Sequence, residues 1–575
     1  MLSSRRRALL LLVLLVALGA VVLNVAERVR RPLHSTIAPR VLLFDVPSQV
    51  DEGPAPPSMS LDLFRRERPT FHDLLFAVYN AAEDRSVEAI VLHVDGLDWG
   101  WARVYEMADA LRAFRASGKR VYASLDGGSE KEYVLGMAAD RLAMPPVSTL
   151  QLDGLSASAM FMMGAYDKLG IKPNFAHVGR FKSAVEAYTR DSLSPDARAA
   201  MEELLDDTYR QLVDSVAVAR RLSADSVRTL IDGGPYTARE ALTHGLLDTL
   251  LAEADLDSLA AHQDGARLGT GSLLRYANEG GNSTGEHIAL LVAEGEIIQG
   301  KSRDNPFGGR AVGDETLVEA LREIRERKNI KAVVLRIDSP GGSGDASDAV
   351  WQEIRRVRRA KPVIVSMGDV AASGGYYLAC AGDVIVADAG TITGSIGVFG
   401  GKLNMLGLYR KLGLNVETVT RGKHAAMLSP FTDFSPEELA RYQKSLEQFY
   451  SVFLARVAEG RGMDPAVIDS VGQGRVWSGV AARQRGLVDT LGGLETAFNL
   501  ARARARISED ADIVVDVYPR ARRTFLQSWL GNLFEDAENE QASLPALKDL
   551  ATWYRASAMD RGTFQARMPF TIRIE

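Results

Sequence analysis

The stretch Pro362–Gly400, PVIVSMGDVAASGGYYLACAGDVIVADAGTITGSIGVFG, carries the pattern that decides the fold. Its apolar run Val363–Val365 is followed by small residues, Ser373, two glycines and the helix-like YYLACA, and a second apolar run, Val384–Ala387, precedes GTITGSIG. The order strand, sharp turn, helix, strand is typical of a parallel sheet, with Ser373 at a helix N-terminus. Because the adjacent glycines let a carbonyl group approach the backbone closely, we interpret Ser373 as a nucleophile.

Composition limits the classes of function. With 575 residues, 46% of them hydrophobic and 25% charged, the chain is long enough for two or three ordinary domains. The net charge of -6 with interspersed signs gives no sign of nucleic-acid binding. The single cysteine, Cys380, excludes an internal disulfide and a cysteine-based metal site. We expect no cofactor and no metal.

The N-terminus has the composition of a membrane anchor. Residues 8–26 form a nearly continuous apolar run, which approaches the roughly 20 residues needed to span a bilayer. Residues 5–7 are three arginines, which favours a cytoplasmic N-terminus at 1–7 and a body on the other side of the membrane. We therefore predict an uncleaved transmembrane signal anchor at 8–26, with a cleaved signal peptide as the alternative.

The chain contains an internal repeat. The segment EAIVLHVDG at 88–96 resembles KAVVLRIDS at 331–339 with an offset of 243, and GLLDTL at 245–250 resembles GLVDTL at 486–491 with an offset of 241. Such self-similarity indicates two copies of one structural unit. The predicted segments are a first domain at 40–262, a linker at 263–286, a second domain at 287–505 and a C-terminal tail at 506–575.

The two copies differ at the positions where chemistry is expected. Small residues of the second copy are replaced in the first by acidic or bulky ones, namely Ser373 by Glu130, Gly341 and Gly342 by Asp98 and Trp99, and Ser395 by Leu152. Only the second copy therefore retains the predicted nucleophile. There, the N–H groups of Gly374 and of the Gly341–Gly342 turn are candidates for an oxyanion hole, in which one donor commonly lowers the barrier by about 3–4 kcal/mol.

The base that would activate Ser373 is not obvious from the sequence. None of the eight histidines lies in the Ser373 stretch, but a lysine kept neutral by burial also accepts a serine proton. Lys182, in GRFKSAVE, and Lys423, in GKHAAM, coincide at the repeat offset of 241. Lys182 has apolar neighbours that favour a lowered pKa, whereas Lys423 lies in the same copy as the serine. Both remain candidates, with His424 as a third.

The motifs around these residues resemble a known family. The sequence is similar to the long form of signal peptide peptidase A, the protease IV family of membrane-anchored bacterial serine peptidases. The matching stretches are IDSPGGSG at 337–344, MGDVAASGGYYLA at 367–379, GTITGSIGVFG at 390–400 and GRFKSAVE at 179–186. The resemblance implies an α/β protein with two tandem Clp protease/crotonase-like domains, built from parallel sheets and crossover helices, and a Ser/Lys dyad.

The resemblance also implies roles for individual residues. It assigns the nucleophile to Ser373, the base to Lys182 and a hydrogen bond to the lysine from Ser395. Short relatives have their lysine at the place of Lys423, which therefore stays an alternative. The resemblance further implies a homotetramer that degrades cleaved signal peptides and other short apolar peptides, anchored in the bacterial inner membrane with its body on the periplasmic side.

Two other functional classes remain open at this point. The implied fold is shared with crotonase-type acyl-CoA enzymes, which work through carboxylates and polarising backbone N–H groups. A non-catalytic membrane scaffold is also compatible with a duplicated fold. Labelling of Ser373 by a serine-directed acylating probe separates the peptidase from the scaffold.

Overall fold

The computed structural model describes residues 41–54, 69–263, 266–279, 284–304, 309–520 and 565–567. The predicted cytoplasmic N-terminus and the anchor at 8–26 lie outside these ranges. Within them, no helix has the length and apolar character needed to cross a membrane.

The first half of the chain alternates short strands with helices. Its strands are β1 Val41–Asp45, β2 Ala89–Val94, β3 Arg120–Leu125, β4 Arg141–Met144, β5 Thr149–Leu150, β6 Lys172–Val178, β7 Tyr236–Thr237, β8 Thr249–Leu250, β9 His262–Gln263, β10 Ala266–Arg267 and β11 Thr270–Ser272. Its helices are α1 Phe71–Glu83, α2 Trp101–Ala116, α3 Glu130–Gly136, α4 Met163–Leu169, α5 Glu186–Thr189, α6 Pro195–Arg220, α7 Ala224–Asp232, α8 Ala238–Thr243, α9 Glu253–Ala261 and α10 Leu273–Glu279.

The second half repeats this alternation. Its strands are β12 Glu286–Glu294, β13 Glu296–Ile298, β14 Arg303–Asp304, β15 Arg310–Gly313, β16 Ile330–Ser339, β17 Gly341–Ser343, β18 Val363–Ala372, β19 Val384–Ala387, β20 Ile392–Gly394, β21 Val398–Asn404, β22 Val476–Ser478, β23 Thr490–Leu491, β24 Ile513–Tyr518 and β25 Gln565–Arg567. Its helices are α11 Asp314–Glu326, α12 Gly344–Arg358, α13 Gly374–Ala379, α14 Leu406–Lys411, α15 Pro436–Arg461, α16 Pro465–Val471, α17 Gly479–Gln484 and α18 Leu494–Ala505.

The same parallel sheet is built twice. In the first half the strand order is β11-β1-β2-β3-β4-β8, and in the second half β24-β12-β16-β18-β19-β23, with every neighbouring pair parallel. Parallel strands with connecting helices are confirmed as the core architecture. The strand β24 pairs with β12 although it follows residue 505, so the predicted tail begins with a strand of the second sheet.

The two sheets share one hydrophobic core. Side chains alternate along β12, so that Ile288 and Leu290 join the core of the first half while Ala289 and Leu291 join a separate core. Apart from Ala176, the buried residues of that separate core belong to the second half. A strand buried on both faces needs a nearly continuous apolar run, which explains the sequence IALLVA. One face of the second sheet therefore packs toward the first half.

A third sheet combines one strand of the first half with strands of the second half. It has seven strands in the order β14-β15-β13-β17-β25-β21-β6. Strand β6 of the first half lies antiparallel to β21 of the second, with Val178 opposite Val398 and Lys172 opposite Asn404. The residues that follow β6 are thereby delivered into the second half.

A buried network of charged side chains also joins the halves. Arg336 of the second half is 1% exposed and donates hydrogen bonds to the carboxylates of Glu52 and Glu106 of the first half, at distances from 2.7 to 3.1 Å. Arg103 of the first half contacts Glu52 and Asp338. Burial raises the pKa of Glu106 to about 7 against the opposing effect of Arg336. Removing one member of such a network leaves an uncompensated buried charge.

Candidate active site

Ser373 lies at the turn between β18 and α13, as the sequence predicts. Its backbone has φ 55° and ψ -112°, a conformation that typically costs of order 1–3 kcal/mol in a non-glycine residue. Two hydrogen bonds hold this turn, since the Ser373 N–H donates to the Gly394 carbonyl and the Ser373 carbonyl accepts from the Tyr377 N–H, each at 2.8 Å. Glycine is needed at 375, where a Cβ would lie 2.8 Å from the Ser339 carbonyl oxygen. The strained turn is thus fixed by close packing.

The pairing of β6 with β21 places Lys182 next to Ser373. Lys182 lies just beyond the end of β6, and Ser395 lies just before the start of β21, so the pairing of these two strands juxtaposes them. Lys182 Nζ is 2.8 Å from Ser373 Oγ, 3.0 Å from Ser395 Oγ and 3.1 Å from the Ser395 carbonyl oxygen. The three side chains therefore form one hydrogen-bonded group made from both halves.

The surroundings of Lys182 disfavour its charged form. Lys182, Ser373 and Ser395 have no exposed surface. The hydrogen-bond partners of Lys182 Nζ are two hydroxyl groups and a carbonyl, none of which carries a charge. Burial lowers the pKa of Lys182 well below its ordinary value. A neutral amine has a lone pair that accepts the Ser373 hydroxyl proton, which is the property required of a base.

A turn that the sequence analysis did not single out supports the backbone of Lys182. The Phe181 N–H donates to the Gln473 carbonyl at 2.7 Å. Gly474 has φ 78°, and a Cβ on it would lie 2.6 Å from Lys182 Cα. Only glycine therefore allows the two segments to approach this closely. The sequence indicates this turn by the two glycines that flank Gln473, in GQG. They lie far along the chain from the motifs that contain Lys182 and Ser373.

The predicted oxyanion donors lie on two segments that meet beside Ser373. Gly374 is the first residue of α13, so its N–H has no acceptor within the helix. Gly341 and Gly342 open β17, where a Cβ on Gly342 would lie 2.0 Å from the Ile297 carbonyl oxygen. The Gly341 N–H donates to Ser339 Oγ at 3.1 Å. The assignment of these three glycines to an oxyanion hole stays a prediction.

The alternative bases lie elsewhere. The side chain of Lys423 is 70% exposed and forms an ion pair with Glu437 at the start of α15. His424 contacts the carboxylates of Glu437 and Glu438 at 3.4 and 3.7 Å. The structure brings Lys182, and neither of these residues, into hydrogen-bond contact with Ser373.

The corresponding position of the first half carries a carboxylate that is already engaged. Glu130 is 3% exposed and accepts hydrogen bonds from the N–H groups of Asp153 and Gly154 at 3.0 and 2.9 Å. These contacts hold the loop that corresponds to the Ser395 turn. Glu130 therefore serves the local fold, and a role in acyl-CoA chemistry would require it to give up both contacts.

Among the described residues, no group of three or more histidine, cysteine, aspartate or glutamate side chains is arranged to hold a metal ion.

Cys380, another side chain with a nucleophilic atom on the segment 362–400, is free and buried just after the C-terminus of α13. Burial raises the pKa of its thiol to about 12. A thiol with a raised pKa is a poor nucleophile at neutral pH. The hydroxyl of Ser373 is therefore the nucleophile that the Lys182 geometry favours.

Two family models and several known proteins match much of this chain. The model of peptidase family S49 matches residues 113–267 and 355–508, and the Clp protease model matches residues 311–386. The chain is 36% identical to the chloroplastic serine protease SPPA of Arabidopsis thaliana over 439 residues, which are 74% of this chain and 64% of the plant protein. It thus spans less than two thirds of that relative.

Bacterial relatives are covered more fully. The chain is 33% identical to Protease 4 of Salmonella typhi over 77% of this chain and 74% of that protein. It is 32% identical to Protease 4 of Haemophilus influenzae over 78% of this chain and 75% of that protein. Together with the parallel sheets, the family matches fit a Clp protease-like fold. The chain is therefore a serine peptidase that belongs to peptidase family S49.

Proposed function

We propose that this chain is a membrane-anchored serine endopeptidase that degrades cleaved signal peptides and other short apolar peptides through a Ser373/Lys182 dyad. The observation that carries the proposal is the 2.8 Å contact between Lys182 Nζ and Ser373 Oγ in a fully buried site without a charged partner. The resemblance to signal peptide peptidase A supports the substrate class.

The reaction runs in two stages at these atoms. Ser373 Oγ attacks the peptide carbonyl carbon while neutral Lys182 takes the hydroxyl proton, and Ser395 holds the amine in place. The oxyanion accepts hydrogen bonds from the N–H of Gly374 and from the glycine turn at 341–342. Protonated Lys182 then gives its proton to the leaving amine as the C–N bond breaks.

The second stage releases the acyl group. A water molecule attacks the ester carbonyl on Ser373, and Lys182, neutral again, takes one of its protons. The second tetrahedral intermediate collapses with return of that proton to Ser373 Oγ. The carboxylic acid product leaves, and both residues regain their starting protonation states.

Location and assembly are part of the same proposal. The apolar run at 8–26 supports a single-pass anchor in a bacterial inner membrane with the catalytic body on the periplasmic side. The resemblance supports a homotetramer. The exposed apolar side chains of Leu412 (65%), Leu414 (50%) and Val419 (80%) offer surface for contacts between copies.

Three alanine variants of the full chain test the dyad. We expect Ser373→Ala and Lys182→Ala to lower kcat for hydrolysis of a fluorogenic apolar decapeptide by roughly 10⁴-fold or more, as loss of one member of a catalytic unit does. Lys423→Ala is the matched control, and its activity should stay near that of the wild type. Full activity of Lys182→Ala overturns the cross-half dyad, and loss of activity in Lys423→Ala would then favour Lys423 as the base.

A further inference from the structure

The N-terminus of α2, in the first half, contacts a carboxylate of the second half. The Gly100 N–H donates to Asp369 Oδ2 and the Arg103 N–H donates to Asp369 Oδ1, each at 3.0 Å. These N–H groups belong to the first turn of the helix, where backbone donors have no acceptor within the helix. A Cβ on Gly100 would lie 2.2 Å from Asp369 Cγ, so only glycine allows this approach. The second half therefore caps a helix of the first.

The side chain of Arg103 extends this contact to a second carboxylate. Its Nε lies 3.2 Å from Asp369 Oδ2, and its Nη2 donates to Asp338 Oδ2. The Arg103 side chain is 10% exposed, and those of the two aspartates are 13% exposed. One largely buried guanidinium thus holds together a carboxylate from β16 and one from β18. Without the guanidinium, two like charges would face each other in a poorly solvated site.

The two strands are irregular at the point where Arg103 holds them. Their register shifts between Ile337 and Ser339, so that three residues of β18, Gly368–Val370, lie opposite Asp338 alone. A bulge of this kind leaves backbone groups unpaired and changes the direction of the chain, often beside an active site. Here Asp338 Oδ1 accepts from the last N–H of the bulge at 2.9 Å, and the carboxylate that caps α2 comes from its middle residue.

Both turns of the candidate active site follow directly after this point. Ser373 lies three residues beyond the bulge. On the other strand Asp338 is followed by Ser339, whose Oγ accepts from the Gly341 N–H at 3.1 Å. A Cβ on Gly375 would lie 2.8 Å from the Ser339 carbonyl oxygen, so the two turns are in close contact. The contacts of the guanidinium therefore affect the position of one turn relative to the other.

We propose that Arg103 is a positioning residue: acting through Asp338 and Asp369, it keeps the glycine turn at 341–342 in place relative to Ser373, so that the first half completes the oxyanion site of the second. This inference rests on the proposed function for the role of the glycine turn. Oxyanion donors act on charge that develops in the transition state, so displacing one lowers kcat with little change in KM. A contact that only stabilised the fold would not give this kinetic signature.

Steady-state kinetics of three full-chain variants test the positioning role. We expect Arg103→Met to lower kcat for an apolar decapeptide by roughly 10²- to 10³-fold, as loss of an oxyanion donor does, with KM within about twofold of the wild type. Arg103→Lys keeps the charge without the planar fork and should lose only about tenfold. The matched control is Arg220→Met, because the Arg220 side chain is also 10% exposed and pairs with Asp248 at 3.0 Å inside the first half. Its kcat should stay within about twofold of the wild type.

A double variant shows whether the effect passes through Asp338. Asp338→Asn removes the charge that Arg103 binds but keeps an oxygen for the Val370 N–H. In this background Arg103→Met leaves no ionised Asp338 unpaired, and we expect it to lower kcat by less than about threefold further. If Arg103→Met lowers kcat by the same factor in both backgrounds, the two residues act independently and the inference is wrong.

Hydrogen exchange separates this inference from the proposed function. In the Ser373→Ala chain, the amides at 339–343 and 370–375 should exchange roughly tenfold faster with Arg103→Met than with Arg220→Met. If no variant hydrolyses peptides but this difference remains, the proposed function falls and the positioning role stands. Equal exchange in the two variants overturns the inference, and so does a higher KM of Arg103→Met with kcat unchanged.

Discussion

A substitution at Gly474 tests the position of Lys182 and leaves the side chains of Lys182 and Ser373 unchanged. In Gly474→Ala, the new Cβ would lie 2.6 Å from Lys182 Cα, whereas ordinary contacts are 3.4–4 Å. The Lys182 backbone must therefore move by about 1 Å, which would lengthen the 2.8 Å contact with Ser373 beyond the roughly 3.2 Å limit for proton transfer. A misplacement of about 1 Å costs roughly 10²-fold in rate, or about 2.7 kcal/mol in the activation barrier.

The matched control is Gly413→Ala. Gly413 has φ 75°, close to the 78° of Gly474, but a Cβ there would meet nothing within 4 Å. Both variants carry the cost of an alanine in the left-handed region, about 1–2 kcal/mol, and only one displaces the lysine. The assay is kcat/KM for an apolar decapeptide, with circular dichroism to show that both variants are folded. Activity of Gly474→Ala within twofold of Gly413→Ala would refute the reasoning.

Three further changes probe the site and the joint between the halves. Lys182→Met should abolish hydrolysis yet raise the melting temperature at pH 7, because folding then no longer requires a lysine to lose its proton. In the wild type, whose Lys182 pKa is lowered in the folded state, stability should increase as pH rises toward the unfolded value of about 10.4, and the variant should lack this slope. Arg336→Met should lower the free energy of unfolding in urea by about 3–5 kcal/mol, against about 0–1 kcal/mol for the exposed ion-pair control Arg112→Met. Ser395→Ala should lower kcat about tenfold, since Lys182 loses one hydrogen bond.

Each of these three predictions has a result that contradicts it. Equal pH slopes of thermal stability in the wild type and Lys182→Met would mean that the lysine is charged in the folded protein. Equal losses of stability in Arg336→Met and Arg112→Met would show that the buried network does not join the halves. A kcat for Ser395→Ala equal to the wild-type value would remove Ser395 from the site.

Local patterns in the sequence predict the parts of this structure that depend on neighbouring residues. The apolar runs, the turn at Ser373 and the repeat predict the parallel strands β18 and β19, and the sheet order recurs in both halves. The paired glycines at 341–342 also indicate an unusual backbone conformation. The apolar neighbours of Lys182 indicate that its side chain is buried. These features arise from chain propensity and burial, which a single sequence records directly.

Contacts between distant segments are not recorded in this way. The choice between Lys182 and Lys423 depends on the pairing of β6 with β21, which joins segments more than 200 residues apart. The approach of Gly474 to Lys182 likewise depends on tertiary packing. The sequence analysis places the residues of β24 in the tail, because their pairing partner β12 lies more than 200 residues earlier in the chain. Pairing of this kind follows from the fold as a whole, and local hydrophobic periodicity does not determine it.

The most direct test of the account measures how the acylation of Ser373 depends on pH. The full chain, Lys182→Ala and Lys423→Ala are treated with a small fluorophosphonate, and the rate of modification at Ser373 is read from intact mass. We predict that the wild type and Lys423→Ala follow one ionisation whose pKa lies well below the ordinary value of lysine, because Lys182 is buried without a charged partner. Lys182→Ala should react far more slowly at every pH. Wild-type labelling of Lys182→Ala, or loss of labelling in Lys423→Ala, would contradict an active site built from both halves of the chain.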